Sequence, residues 1–600
     1  MFQKWLKNNT LEDIDLSMPL FPPASDRSFW CDKSDPELIA QAEQYIGYGW
    51  PISYATDFMA FRTEGNRIQQ EKPHFSRRHA FQTLLLGELC EYQGRFLPDI
   101  ANGIFAICEE TFWGISAHYP EGHDTDMLPD AEHCYIDLFA AETASLLATA
   151  YSLLRNELYA FCPQIITRLE YETDRRIIKP YLSHTDFWWM GYHQTVNNWN
   201  PWIISNLITV FLTIPMPSST RLLGIQKMFR EADNYCKDMP LDGGCDEGAS
   251  YWSVAGGTLF EFCEQLFTAS NGRIDLFSDE RIQNSGKYIC QAYIGDGYFA
   301  NFADGTPKIT HSLAGLLYLY GLRINDPRLK ALAWELSQQT ENLPPERRRD
   351  YKIKRSLYQM IYRQEILQKN PFHPEKSCAV DSIQNAFLHQ GDWVCAAKGG
   401  HNNESHNHND VGSFLAYWQN RPVLIDPSCG TYTAQTFGGG RYDIWTMQSD
   451  WHNLPQVNGH SQLPGKEYRA DGFALSGNTA SFSFAPAYPR ESSLTTLSRQ
   501  ITLFPAGPQI TDKFVFEKDE NQIREHFVTT LPVRIEKEQV ILGEQFILQV
   551  DTPCQICLDT VSFGDDEKLV NSWQTDHINR IGFCFDAGQN AVLTFRLKTL

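Results

Sequence analysis

The chain has 600 residues, 42% of them hydrophobic and 13% aromatic, with a formal net charge of −22. This length supports a large core and more than one domain, while the acidity excludes a general nucleic-acid binder, whose footprint is basic. An anionic partner would have to be met by a positive field confined to a cleft.

The N-terminus, Met1-Phe2-Gln3-Lys4-Trp5-Leu6-Lys7, leads into no apolar run of leader or membrane-spanning length. The 15 cysteines show no framework spacing. A reducing cytoplasm and no membrane association are therefore expected; a chain shortened at its start would instead be periplasmic or secreted. Cys554 and Cys557 form one CxxC without the second pair of a structural zinc site.

Residues 1–375 read as a series of helices. Ser34-Asp35-Pro36-Glu37 is a helix start, with Ser34 as the expected cap and Pro36 in the first turn. Ile136, Phe139, Thr143, Leu147, Ala150 and Leu154 step by three and four along one stripe. Asn325-Asp326-Pro327 repeats the start signal. Many helices without intervening strands suggest a layered helical toroid or solenoid, and no strict period marks a regular repeat array. The run Arg347-Arg348-Arg349 reads as a solvated helix face. Over 376–600 the period falls to two. Leu593, Phe595 and Leu597 alternate with polar residues, and Phe514-Val515-Phe516, Val540-Ile541-Leu542 and Phe546-Ile547-Leu548 are β-rich. An antiparallel β-sandwich is expected there.

The densest chemistry lies in His401-Asn402-Asn403-Glu404-Ser405-His406-Asn407-His408-Asn409-Asp410. His406 and His408 are two apart and share a side if the chain is extended. They could be two ligands of one metal, or one ligand beside one catalytic group. Asp426 ends the apolar run Pro422-Val423-Leu424-Ile425, and His452 follows Asp450-Trp451. Two imidazoles and a carboxylate suit zinc or a related divalent ion. Spacing does not choose between Asp426 and Asp410.

In the helical part, Asn197-Asn198-Trp199-Asn200-Pro201-Trp202 interleaves amides with indoles. It reads either as a sugar platform or as helix caps beside core tryptophans. Asp242-Gly243-Gly244-Cys245-Asp246-Glu247-Gly248 lacks the Lys-Ser/Thr ending of a phosphate loop, and leads instead to Tyr251 at a helix start.

Taken together, the stretches at 197–199, 248–251, 406–414, 426–432 and 452–459 resemble, in order, motifs of the heparinase II/III family of polysaccharide lyases. The resemblance implies an N-terminal α/α toroid over 1–375 and a C-terminal antiparallel β-sandwich over 376–600. It makes Asn198, Tyr251 and His406 catalytic. It makes His408, Asp426 and His452 ligands of one mainly structural divalent metal, most often zinc, with manganese or calcium as alternatives. Asn197, Trp199, Trp202, Arg441 and Tyr442 become substrate contacts. The partner is an anionic oligo- or polysaccharide; a homo-oligomer is left open. Trp199 stands where some relatives carry a His, which weakens an alginate-type specificity.

The implied reaction is β-elimination on a uronate. It needs a donor to the carboxylate, a base at C5 and an acid at the leaving oxygen. A free Tyr, with a pKa of about 10, is a poor base, so a neighbouring His⁺ or Arg is expected to lower that of Tyr251. Tyr251 would act as both base and acid when proton and leaving group share a face. Otherwise His406 would abstract and Tyr251 protonate. Two alternatives stand beside this reading: a metal-dependent hydrolase built on His406-x-His408-x-Asp410, and a non-catalytic glycan-binding protein.

Overall fold

The computed structural model describes residues 1–119, 127–309, 312–340, 352–537 and 539–600. The arginine run at 347–349 lies outside the described residues. The chain is largely helical in its first part and largely β-strand in its last. By contacts it forms two units: Met1–Met239 with Ser253–Gly286 and Thr310–Pro371, and Pro240–Trp252 with Lys287–Ile309 and Phe372–Leu600. Two segments from the helical part of the sequence therefore fold with the strands.

In the helical unit, Leu138–Phe161 begins where the Asp137 carboxylate accepts from the Ala140 amide at 2.7 Å. Most of its residues are buried, as in a central core helix. It packs on Trp199–Thr213, which packs in turn on Gly256–Ala269. Polar ties cross these contacts: Ser145 bonds Thr209 at 3.1 Å, and Gln265 donates to the Ser205 carbonyl at 2.8 Å. Pro36–Glu43 is capped by Asp35, which accepts from Glu37 N at 3.0 Å, and not by the expected Ser34. With Pro36 at the first helical position and Asp35 as the cap before it, the start falls one residue later. Among the described residues no helix is long and apolar enough to cross a membrane.

The other unit holds three antiparallel sheets and two small ribbons. Five strands run Cys378–Val380, Asn385–Gln390, Trp393–Lys398, Phe414–Trp418 and Arg421–Leu424 in spatial order. Four run Gln555–Ser562, His577–Ala587, Asn521–Thr529 and Pro455–Val457. The eight-stranded sheet extends from Asp471–Ser476 to Val533–Glu536, with Gly507–Phe516 and Asn590–Thr599 adjacent in it. Leu593, Phe595 and Leu597 are buried while Thr594, Arg596 and Lys598 are less so, as the period of two requires. One apolar cluster draws on all three sheets, with Phe414, Phe514, Phe527, Phe583 and Phe595 in it.

Inside that core sits a buried cation. Arg499 bonds Asp512 at 2.6 Å and Glu525 at 3.2 Å, with all three side chains at 0% exposure. Its Nη1 also donates to the carbonyls of Gly412 and Asn453, at 2.9 and 2.7 Å. Gly412 closes the loop that carries His408, and Asn453 follows His452. The guanidinium thus fixes two loops from beneath.

Candidate active site

The His406/His408 loop leaves the strand Trp393–Lys398 and returns in Phe414–Trp418. Lys398, at the strand end, bonds Asp410 at 2.6 Å and Glu404 at 3.1 Å, all three buried. The Gly412 amide donates to the Lys398 carbonyl at 2.9 Å. Two short ties across its base thus leave the loop little freedom. Burial first, and then the Asp410 charge, push the Glu404 carboxyl up to about 7, against the pull of Lys398.

His406, His408, Arg441 and Tyr432 all converge on one carboxylate, Asp304. Its Oδ2 lies 2.8 Å from His406 Nδ1 and accepts from the Tyr432 hydroxyl at 3.0 Å. Its Oδ1 lies 2.9 Å from His408 Nε2 and accepts from Arg441 Nη2 at 2.8 Å. Burial alone would raise its pKa, but the two imidazole bonds, the His408 charge and Arg441 hold it well below the usual carboxylate range. The same pairing raises His406 above its ordinary value, although burial opposes this; Glu247, 4.0 Å from its Nε2, adds to the rise.

Tyr251 belongs to the strand-rich unit, in the short helix Ala249–Trp252. Gly248 precedes it at φ +89°, where a Cβ would meet the Phe302 carbonyl at 2.8 Å. The Tyr251 ring stacks on His406 with centroids 4.3 Å apart, and its hydroxyl bonds that of Tyr432. The expected lowering of its pKa is not found. Burial, followed by the charges of Asp304 and Cys429, pushes the Tyr251 phenol well above its ordinary value. Burial and the Asp304 charge both disfavour the phenolate, so the phenol keeps its proton.

Three non-glycine residues of this region adopt left-handed backbone: Ala303 at φ +59°, His406 at +56° and Ser428 at +68°. Each adjoins or is a group just described, since Ser428 N donates to Asp426 at 3.1 Å. Strain of this kind persists only where surrounding contacts over-determine the conformation.

One nitrogen of His408, one of His452 and an Asp426 oxygen lie within 4.8 Å of one another, all buried. His408 Nδ1 and His452 Nε2 are buried without a hydrogen-bond partner. Such orphaned nitrogens are costly unless a cation takes their lone pairs. The donor set fits a zinc-type ion. Asp410, the other carboxylate open on spacing, is not in this group; its Oδ1 is held by Lys398.

Arg441 points inward, donating to Asp304, to the Asn407 carbonyl at 3.0 Å and to the Thr436 carbonyl at 3.1 Å. The Tyr442 hydroxyl accepts from Asn407 Nδ2 at 3.2 Å. In the helical unit, Asn198 is buried at the N-cap of Trp199–Thr213, and half-buried Asn197 accepts from Trp199 N at 3.1 Å. Trp199 packs against His118 and Trp188, with centroids 4.7 and 4.9 Å away. Trp202 is 8% exposed; its N–H bonds Glu142 at 2.6 Å, and Lys352 lies 4.1 Å over its ring.

Sequence reasoning missed Asp304 and Tyr432. Asp304 stands in Phe302-Ala303-Asp304-Gly305, which carries only a turn signal.

Residues 386–591 match the model of a family described as heparinase II/III-like, C-terminal. No curated protein matches the sequence. Among solved structures, a heparinase III aligns with a TM-score of 0.64 at 12% identity, covering 94% of this chain and 85% of that one. The heparan sulfate lyase HepC from Pedobacter heparinus aligns at 0.58 and 10%, covering 100% and 87%. A chondroitin AC lyase of Streptomyces coelicolor A3 aligns at 0.52 and 12%, covering 94% and 83%. At these identities the likeness is one of fold.

Proposed function

We propose that this protein is a heparinase II/III-like polysaccharide lyase that cleaves uronic-acid-containing glycans, of the glycosaminoglycan kind, by β-elimination. The observation that carries the reading is the Tyr251 ring stacked on His406, with both tied to Asp304, Tyr251 through Tyr432. In this reading the toroid and sandwich of the family are the frame.

A phenol held above its ordinary pKa stays protonated at neutral pH, so it has a proton to give and cannot serve as the base. Tyr251 therefore gives its proton to the leaving C4 oxygen. His406, with Nδ1 committed to Asp304, uses Nε2 to take the C5 proton. The C5–H electron pair forms the C4=C5 double bond as the C4–O bond breaks. Asn198 is proposed, on the resemblance of its segment, as the amide that hydrogen-bonds the uronate carboxylate and stabilises the developing charge. Trp199 and Asn197 are proposed as substrate contacts on the same basis. Arg441 and Tyr442 act by holding Asp304 and Asn407.

When bound, a zinc-type ion would supply a fixed positive centre that holds the His408, Asp426 and His452 segments in register. His408 would offer Nδ1, His452 one nitrogen and Asp426 an oxygen. The hydrolase alternative would need His406 and Asp410 at the metal. Instead His406 Nδ1 faces Asp304, and Asp410 faces Lys398.

A panel of uronate glycans incubated with wild type, Tyr251→Phe and His406→Ala, followed by ultraviolet absorbance of the conjugated product, tests the proposal. Unsaturated product is expected from wild type, and from either variant only at a rate lowered by about a hundredfold or more. Undiminished turnover by Tyr251→Phe would remove the phenol from the mechanism.

A further inference from the structure

Asp304 has more structural ties than any single role in the proposed reaction requires. It is buried at 1% exposure, and its two oxygens serve different neighbours. Oδ2 faces His406 Nδ1, leaving Nε2 of that ring as its other nitrogen; Oδ1 faces His408 Nε2. The consequence for His408 is specific. With Nε2 turned to a carboxylate, the lone pair is placed on Nδ1, and this is the atom left buried without a partner. A carboxylate behind a metal-binding imidazole fixes its tautomer and raises its basicity. Here the same carboxylate also fixes the ring two residues away.

We propose that Asp304 is a positioning residue that joins the metal site to His406, so that occupancy of one sets the orientation of the other. The inference rests on the lyase reading only in calling His406 the base. The neighbourhood supports a built bridge and not a chance contact. Ala303 is held at φ +59°, which aims the following carboxylate. The Cys429 thiol donates to the Asp304 carbonyl at 3.4 Å, and Ser428 donates to the Gly305 carbonyl at 2.6 Å. These bonds tie the Asp304 backbone to the segment that begins with Asp426. Asn301 Nδ2 adds a bond to the Asp426 carbonyl at 3.1 Å. Arg441 and Tyr432 then occupy the remaining lone-pair directions of the carboxylate. Asp304 thus lies between the metal group and His406, with each side of its carboxylate committed to one of them.

The mechanical consequence is a shared geometry. A cation drawing on His408 Nδ1 pulls that ring toward itself, and the Nε2 bond carries the displacement to Asp304. The other oxygen of the same rigid carboxylate then moves the His406 ring. An amide in place of the carboxylate keeps the shape but presents one N–H₂ and one carbonyl, so it accepts from only one of the two imidazoles.

The test uses the full chain and zinc alone, without glycan. Zinc affinity is measured by competition with a chromogenic chelator, and the imidazole resonances of His406, assigned through His406→Gln, are followed by NMR. In wild type, zinc should shift the His406 ring signals. In Asp304→Asn, zinc affinity should fall by about 10- to 100-fold, and the His406 signals should no longer respond once zinc is saturating. Should Asp304→Asn not fold, the wild-type titration still decides, because His406 signals indifferent to zinc overturn the proposal. So does an unchanged zinc affinity in a folded Asp304→Asn, or a variant whose His406 signals respond as in wild type. Neither readout involves catalysis, so failure here leaves the elimination chemistry standing, and absence of unsaturated product leaves the bridge standing.

Discussion

Two regions of the molecule look alike in sequence and differ in structure. The segment 197–202 mixes amides with indoles, and the segment 401–410 mixes amides with imidazoles. In the first, the polar atoms serve the start of one helix and its packing neighbours. Asn197 accepts from Trp199 N, and Asn200 donates to the Trp189 carbonyl at 2.9 Å. In the second, His406 and His408 both meet Asp304, Ser405 N donates to Asp246 at 3.2 Å, and Lys398 ties Glu404 and Asp410 across the base. Polar density alone does not mark chemistry. What distinguishes the second region is that two of its imidazoles meet one carboxylate supplied from about a hundred residues away, at a sequence separation of 102 for His406 and 104 for His408, while His408 Nδ1 stays buried without a hydrogen-bond partner.

The contrast can be broken by substitution. Tyr251→Phe and His406→Ala should each lower kcat by about a hundred- to ten-thousandfold, with thermal unfolding little changed in Tyr251→Phe. Trp202→Ala should appear first as lost stability, about 3–5 kcal/mol for a buried indole, read by denaturant unfolding. Equal rate losses with no loss of stability at Trp202 would erase the distinction. Asn198→Ala sharpens it, because a donor to developing charge should cost about a hundred- to thousandfold in kcat although it comes from the helix-capping segment.

Next in size is the buried cation under the loops. Arg499→Ala leaves Asp512 and Glu525 without their partner and should destabilise the strand-rich unit by about 3–5 kcal/mol. It should also weaken zinc binding, because the Gly412 and Asn453 carbonyls lose their common donor. A variant that loses stability yet binds zinc normally would show that the sheets alone hold the two loops.

Much of this could be read from the residues themselves, and the reasons for what could not are physical. Alternation in 593–598 identifies a strand because the pleat repeats every two residues. The start at Pro36 is legible because proline and a capping side chain act within a few positions, although Asp35 and not Ser34 is the cap. The His408, Asp426 and His452 set could be named from chemistry and resemblance, and the structure brings the three together. Asp304 could not be named, since nothing within several residues of it shows that its partners lie at 406, 408 and 441. The direction of the Tyr251 shift failed for the same reason. Burial of the phenol and the Asp304 charge, neither visible in local spacing, raise it.

The smallest effect is in pH. His406 has a folded pKa raised above the ordinary value of about 6.5. As a base it must lose its proton, so kcat/KM should rise with pH through a midpoint above that value. The same shift stabilises the fold fully below the unfolded pKa and is lost as pH rises through the folded one. Glu404, raised to about 7, acts in the same direction, since its favoured neutral form disappears between the ordinary carboxylate range and neutrality. The rising limb of the rate profile should vanish in His406→Ala, whereas the stability contribution of Glu404 should survive there and disappear in Glu404→Gln.

The measurement that reaches the reaction most directly is digestion of a uronate glycan in water enriched in heavy oxygen, with mass spectrometry of both new ends. Elimination takes no oxygen from solvent, so the new non-reducing end should be unlabelled and lighter by a water than a hydrolysis product, and the new reducing end should carry label only to the extent that a control sugar exchanges its anomeric oxygen. One heavy oxygen incorporated for every bond cleaved, beyond that exchange, would contradict the account.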